Sequence, residues 1–291
     1  MSVLKITNLT KKFGKFTALD RVNFEMQKGE VYGFIGPNGA GKTTTIRVLL
    51  GILKATEGEA SIFGMDAWRD AVEIHKRIAF VPGDVNLWGN LTGGEVIDLL
   101  VRLRGSNNKS RQEQLIERFD LDPSKKCRTY SKGNRQKVAL IAALAADADV
   151  YILDEPTSGL DPLMEKVFQE CVFEIKSQGK GILLSSHILS EVEKLCDKVS
   201  IIRQGKIIET GTLSELRHLT RTNVVFDTKK PVEALESVKG VHNLNHSNQL
   251  VSMQVETEEL GNVIKYISGF DIVKLESFPL TLEELFIRHY K

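Results

Sequence analysis

The stretch Gly36-Pro37-Asn38-Gly39-Ala40-Gly41-Lys42-Thr43-Thr44 decides the fold. It reads G-x-x-x-x-G-K-T, follows the apolar run Val31-Tyr-Gly-Phe-Ile35 and opens the helix-forming run Thr44-Thr-Ile-Arg-Val-Leu-Leu50. A strand, a glycine-rich loop and a helix in that order distinguish a phosphate-binding loop from a chance turn. Glycines let the backbone wrap until successive N–H groups point inward, and the helix N-terminus adds the positive end of its dipole. The ligand expected here is a nucleoside triphosphate. Lys42 can reach its β- and γ-phosphates, and the Thr43 hydroxyl is placed to ligate Mg²⁺.

The second informative run is Val150-Tyr-Ile-Leu-Asp154-Glu155, an apolar strand that ends in two acids. Burying charge is costly, so adjacent carboxylates at the end of a buried strand imply a cation or a proton to handle. Beside a phosphate loop, Asp154 is expected to bind Mg²⁺ directly or through water. Glu155 is expected to orient the attacking water and accept its proton.

The bulk numbers narrow the class. At 291 residues the chain is about two average domains long. Hydrophobic residues make up 42% and charged residues 26%, ordinary for a soluble globular protein. A net charge of +1 offers no electrostatic support for a nucleic-acid partner. The longest apolar stretch, residues 138–153, contains Asp147 and Asp149 and does not read as a membrane span. The N-terminus lacks the apolar core of a signal peptide. Cys127, Cys171 and Cys196 are scattered without C-x-x-C spacing, which fits a reducing cytoplasmic compartment.

Strand and helix patterns alternate along the chain. Short strands are expected over residues 2–30, with turns at Phe13-Gly14 and Lys28-Gly29-Glu30, and another strand between Gly58 and Gly64. Residues 84–145 are helix-rich, with apolar spacing of three and four at 92–103 and 110–119. Buried strands at 150–153 and 181–184 follow, then a hairpin turning at Gln204-Gly205. Beyond residue 219 the expected order is strand, helix (232–238), hairpin, helix (260–267) and strand, then a capped helix over 281–290. The domains expected are 1–218 and 219–291.

Four further elements carry a resemblance. Tyr130-Ser131-Lys132-Gly133-Asn134 resembles the signature LSGGQ, keeping its serine and second glycine. Ser158-Gly-Leu-Asp161, after Pro156, is similar to a D-loop; His187 follows a strand where the switch histidine stands; Phe13 takes the place of the aromatic that stacks on adenine. In this order, over residues 3–215, the chain resembles the ATP-binding subunit of an ABC transporter. The resemblance implies an α/β P-loop ABC-type ATPase core, a mixed sheet with helices plus a helical subdomain near 84–145. A small C-terminal α+β domain, ferredoxin-like in its order, would follow.

It also implies a mechanism. Residues 36–44, Asp154, Glu155 and His187 of one subunit would hold ATP and Mg²⁺, with Glu155, His187 and Lys42 as the catalytic groups. Ser131 and Gly133 of a second ATP-binding subunit, in a homo- or heterodimer, would close over the γ-phosphate. Helices of the 84–145 region would touch an integral-membrane permease, placing the chain on the cytoplasmic face of the cell membrane. One departure stands out: Gly83 occupies the place of a glutamine that approaches Mg²⁺, leaving Asp84 or Asn86 as substitutes. The runs Val81-Pro-Gly83, Gly51-Ile-Leu-Lys-Ala-Thr-Glu-Gly58 and Asn90-Leu-Thr-Gly-Gly-Glu95 most resemble the multidrug and antibiotic-resistance exporters. An importer ATPase and a soluble, non-transport ABC ATPase are the alternatives. The tail shares its topology with RNA-binding folds but lacks exposed aromatics and a basic stripe.

Overall fold

The computed structural model describes residues 2–105, 108–218, 221–232, 234–247 and 250–279. The helix expected over 281–290 lies outside them. Two compact units are present, Met1–Thr210 and Gly211–Lys291.

The first unit begins β1 (Ser2–Phe13), β2 (Phe16–Gln27), β3 (Val31–Ile35), α1 (Lys42–Leu49), β4 (Glu57–Ile62), β5 (Met65–Asp66), α2 (Ala71–His75) and β6 (Ile78–Val81). Three helices follow, α3 (Gly93–Leu103), α4 (Lys109–Arg118) and α5 (Lys132–Leu144). The unit closes with β7 (Val150–Asp154), α6 (Pro162–Ser177), β8 (Gly181–Ser186), α7 (Leu189–Leu195), β9 (Lys198–Arg203) and β10 (Lys206–Thr212).

Where short strands were expected, β1 and β2 are each 12 residues long. Register shifts along their pairing, with Asn8 and Arg21 at positive φ, keep Leu4, Ile6, Leu9, Leu19, Val22 and Met26 on the buried face. Bulges of this kind let a long strand bend without turning its apolar residues outward. With β4 and β5 the hairpin forms an antiparallel sheet of order β2-β1-β4-β5.

A second sheet has the order β10-β9-β3-β8-β7-β6, with β9, β3, β8, β7 and β6 mutually parallel. Every residue of β3, β7 and β8 is buried, as unbroken apolar runs in a doubly covered parallel sheet should be. The order sets the carboxyl ends of β3, β8 and β7 side by side, the edge where open parallel sheets bind ligands.

The helical region is fastened by capping and ion pairs. Thr92 and Glu95 form a reciprocal capping box on α3: the Glu95 N–H donates to Thr92 Oγ1 at 3.2 Å and the Thr92 N–H to Glu95 Oε2 at 2.6 Å. These bonds hold the Glu95 carboxyl below its ordinary range. Arg111 and Arg118 on α4 reach Glu174 on α6 at 2.9 and 2.6 Å. All three cysteines are buried, and burial raises each thiol, that of Cys171 to about 11.

The second unit runs α8 (Leu213–His218), β11 (Thr222–Thr228), β12 (Val241–Ser247), β13 (Leu250–Val255), α9 (Leu260–Ser268) and β14 (Ile272–Pro279). Its strands form an antiparallel sheet of order β12-β13-β11-β14, a split arrangement in which the second hairpin strand inserts beside the first strand of the tail. Val263 and Ile267 of α9 pack on Val224, Phe226, Met253 and Val255. Where a helix was expected over 232–238, the described residues form a 3₁₀ turn, Leu235–Ser237. Ala234 takes a left-handed φ of 52°, and the apolar residues Val232, Leu235 and Val238 recur every three positions, the period of that tighter helix.

Thr92→Ala is expected to cost about 1 kcal/mol in urea denaturation at neutral pH. Because the folded state lowers the Glu95 pKa, its contribution is present above the ordinary value of 4.5 and lost as pH falls through the folded value. The difference between wild type and Thr92→Ala should therefore shrink as pH falls from the ordinary value of 4.5 through the lower folded value.

Candidate nucleotide site

The glycine-rich loop leaves β3 and enters α1 through Gly41, whose φ of 116° is closed to residues with a Cβ. No side chain caps this helix, so its first N–H groups are free for an anion. Residues 37–39, 41–44 and Glu155 line a cup of about 130 Å³. Gly36 and Ala40 do not line it. Gly36 is pressed against Ile202, and the Ala40 carbonyl accepts the Gly205 N–H at 2.9 Å, which ties the loop to the β9–β10 turn.

Lys42 is 4% exposed and folds back over the loop. Its ammonium donates to the Gly36 carbonyl at 2.6 Å and the Pro37 carbonyl at 3.2 Å, and lies 3.3 Å from Glu155 Oε1. Thr43 Oγ1 donates to Asp154 Oδ2 at 2.9 Å, and the Ser185 hydroxyl donates to Asp154 Oδ1. His187 Nδ1 is 3.4 Å from Glu155 Oε1. These five residues named from the sequence converge at one place.

The adjacent acids point different ways. Glu155 adopts φ 46°, a left-handed turn directly after the strand, with its N–H held by the Ser185 carbonyl at 3.1 Å. Asp154 is thereby directed to the two hydroxyls and Glu155 to Lys42 and His187. An uncommon backbone conformation at such a position is the kind of strain that functional sites hold.

Ser185 was not picked out in the sequence. Within Gly181-Ile-Leu-Leu-Ser-Ser186 it reads as a small residue of a buried strand. The signal was its neighbourhood: a hydroxyl pair closing an apolar strand just before His187.

Beside the cup, Thr43, Gly83, Asp84, Asp154 and Glu155 border a recess of about 450 Å³. A Cβ at Gly83 would lie 3.7 Å from Asp154 Cγ, so this position does approach the acid although it has no side chain to offer. Of the two substitutes considered, Asp84 lines the recess and Asn86 does not.

The remaining expected residues lie apart from the cup. Ser131 caps α5, accepting the Asn134 N–H at 3.3 Å. Gly133 packs on the loop after Glu155 so closely that a Cβ would come within 2.4 Å of the Gly159 carbonyl oxygen. Lys132 Nζ donates to Ser158 Oγ at 2.8 Å, and Gln136 Nε2 to the Pro156 carbonyl at 2.9 Å. The start of α5 and the 156–161 loop thus form one surface. Phe13 sits exposed at the end of β1 with Lys11 Nζ 5.0 Å from its ring centre, and it does not line the cup.

The chain is similar to known proteins. The family model described as "ABC transporter" matches residues 19–158, and one described as "ATP-binding protein DrrA1-3-like, C-terminal domain" matches residues 211–290. The bacitracin transport ATP-binding protein BcrA of Bacillus licheniformis is 32% identical, with 99% of this chain and 97% of that protein covered. The ABC transporter ATP-binding protein NatA of Bacillus subtilis is 37% identical over 73% of this chain and 90% of its own length. A solved ATP-binding subunit of an ABC transporter, 33% identical, superposes with a TM-score of 0.69 over 75% of this chain and 92% of that one. With a relative of that identity spanning nearly its whole length, the chain belongs to the ATP-binding subunits of ABC transporters, the ATPases that drive these transporters.

Proposed function

We propose that this chain hydrolyses MgATP at the Lys42–Glu155 site to drive a separately encoded membrane permease that exports antibiotics or related compounds. The observation that carries the reading is the meeting of Lys42 and His187 on Glu155, and of Thr43 and Ser185 on the adjacent Asp154. The bacitracin-transport name of the full-length relative supports the export of an antibiotic.

Among the described residues no cluster of three His, Cys, Asp or Glu side chains could hold a metal alone. One carboxylate, Asp154, and one hydroxyl, Thr43, suit Mg²⁺, which keeps waters and takes phosphate oxygens for the rest of its shell. When bound there it would neutralise charge on the β- and γ-phosphates. The Lys42 ammonium, now on the Gly36 and Pro37 carbonyls, would turn to the phosphates and stabilise the charge that builds in the transition state. Glu155 would take a proton from the attacking water as its oxygen bonds to the γ-phosphorus and the bond to the β-phosphate oxygen breaks. His187, 3.4 Å from Glu155, would orient that carboxylate and the γ-phosphate.

Ser131 and Gly133 do not reach their own cup, and their surface joins the 156–161 loop, which supports their use by a second ATP-binding subunit. Closure of the pair would be driven by ATP, since contacts made in only one state shift a two-state equilibrium. Asp84 is the residue that supports a replacement for the missing glutamine. Phe13 would meet the adenine. We assign the chemistry to residues 1–218 and an accessory role to 219–291, on the cytoplasmic face of the membrane.

Lys42→Ala should abolish both tight nucleotide binding and hydrolysis in a fluorescent-ATP and phosphate-release assay. Undiminished ATPase activity in that variant would sink the assignment. Glu155→Gln keeps the shape and removes the proton acceptor. ATP binding should survive, hydrolysis should fall on the order of 100-fold or more, and an ATP-bound dimer should accumulate on size exclusion. Gly133→Ala, which pushes a methyl into the Gly159 carbonyl, should lower turnover by on the order of 100-fold while single-subunit ATP binding is preserved. Unchanged turnover in Gly133→Ala would count against the shared site.

A further inference from the structure

Glu191 is a buried acid that takes no part in the chemistry above. It is 6% exposed and lies on α7, whose Val192 and Leu195 are buried; Val192 rests directly on Gly33 of β3. The Ser186 hydroxyl donates to Glu191 Oε2 at 2.8 Å and itself accepts the Ile188 N–H at 2.9 Å. The carboxyl therefore fixes the hydroxyl that closes the 186–188 turn, on which His187 is carried. Thr157, buried and two residues beyond Glu155, also favours the charged carboxyl. Oε1, however, is buried and has no hydrogen-bond partner among the described residues. Burial raises the Glu191 pKa; Ser186 and Thr157 oppose the rise, Glu165 adds to it and His187 opposes it. A buried, half-paired carboxyl destabilises a core. This one holds the turn that carries His187.

We propose that Glu191 is a positioning residue for ATP hydrolysis, holding the turn that carries His187 onto α7 through the Ser186 hydroxyl. The inference rests on the roles given to Glu155 and His187.

The test is steady-state ATPase kinetics of the full chain with MgATP, with His187→Ala as reference. Glu191→Ala should lower kcat by roughly tenfold while the KM for ATP stays within about twofold. Glu191→Gln, which keeps the shape and an acceptor for Ser186, should recover most of the loss. Ser186→Ala should lower kcat by about threefold, and combined with Glu191→Ala should add little to it. A group that only stabilised the fold would shift the unfolding midpoint without this split or coupling. Wild-type kcat in Glu191→Ala, or fully additive losses, would overturn the inference. If the Glu191→Ala variant does not fold, Ser186→Ala decides alone, and wild-type kcat there overturns the inference. A collapse of His187→Ala beside an unaffected Glu191 set removes only this inference. Wild-type rates in His187→Ala remove the site assignment and the inference together.

Discussion

The site depends on one carboxylate bonded from both sides. Asp154 ends β7, and its two oxygens take hydroxyls from Thr43, at the start of α1, and Ser185, near the end of β8. Each hydroxyl arrives on a different chain segment, and only the strand order β3-β8-β7 brings them within reach. Asp154 is 2% exposed, so leaving either oxygen unpaired would cost on the order of 1–3 kcal/mol or more. Loop, strand ends and acid are therefore mutually dependent. The phosphate loop cannot drift from the sheet without breaking the Thr43–Asp154 bond, and the carboxylate is held ready where a hard cation would bind.

The turn at Glu155 follows from the same constraint. Two acids in sequence on a straight strand would alternate faces, and one of them would be driven into the packed sheet. The left-handed φ lets Glu155 leave the strand and meet Lys42 and His187 instead. Lys42 accordingly has a local partner for its buried charge, which makes the cup tolerable as a protein interior before any phosphate is considered.

Much of this was legible because phosphate binding constrains residue type and spacing together. The loop 36–44, the acid-ended strand, the histidine after β8 and the serine at the start of α5 each needed a side chain or a glycine at a fixed offset. Period-three and period-four spacing likewise located α3 and α4 within one residue. What stayed hidden depends on tertiary partners. Ser185 and Glu191 have no local pattern; their roles appear only when β8 lies beside β7 and α7 folds onto β3. The continuity of β1 and β2 was masked by bulges that break strict alternation. Residues 232–238 have helical composition, but Ala234 interrupts the turn. At Gly83 the sequence left Asp84 and Asn86 equal, and the backbone path after β6 separated them.

The buried thiols have a practical consequence. Cys127, Cys171 and Cys196 are each shielded, and burial keeps them protonated, so the thiolate that reacts with alkylating or oxidising reagents is scarce in the native fold. The folded chain is in effect a blank background for sulfhydryl chemistry. A single cysteine introduced on an exposed position such as Leu163 or Phe173 would take a spectroscopic label alone, with no need to strip out the natural ones first. The same shielding makes the rate of native labelling a reporter of how often the core opens.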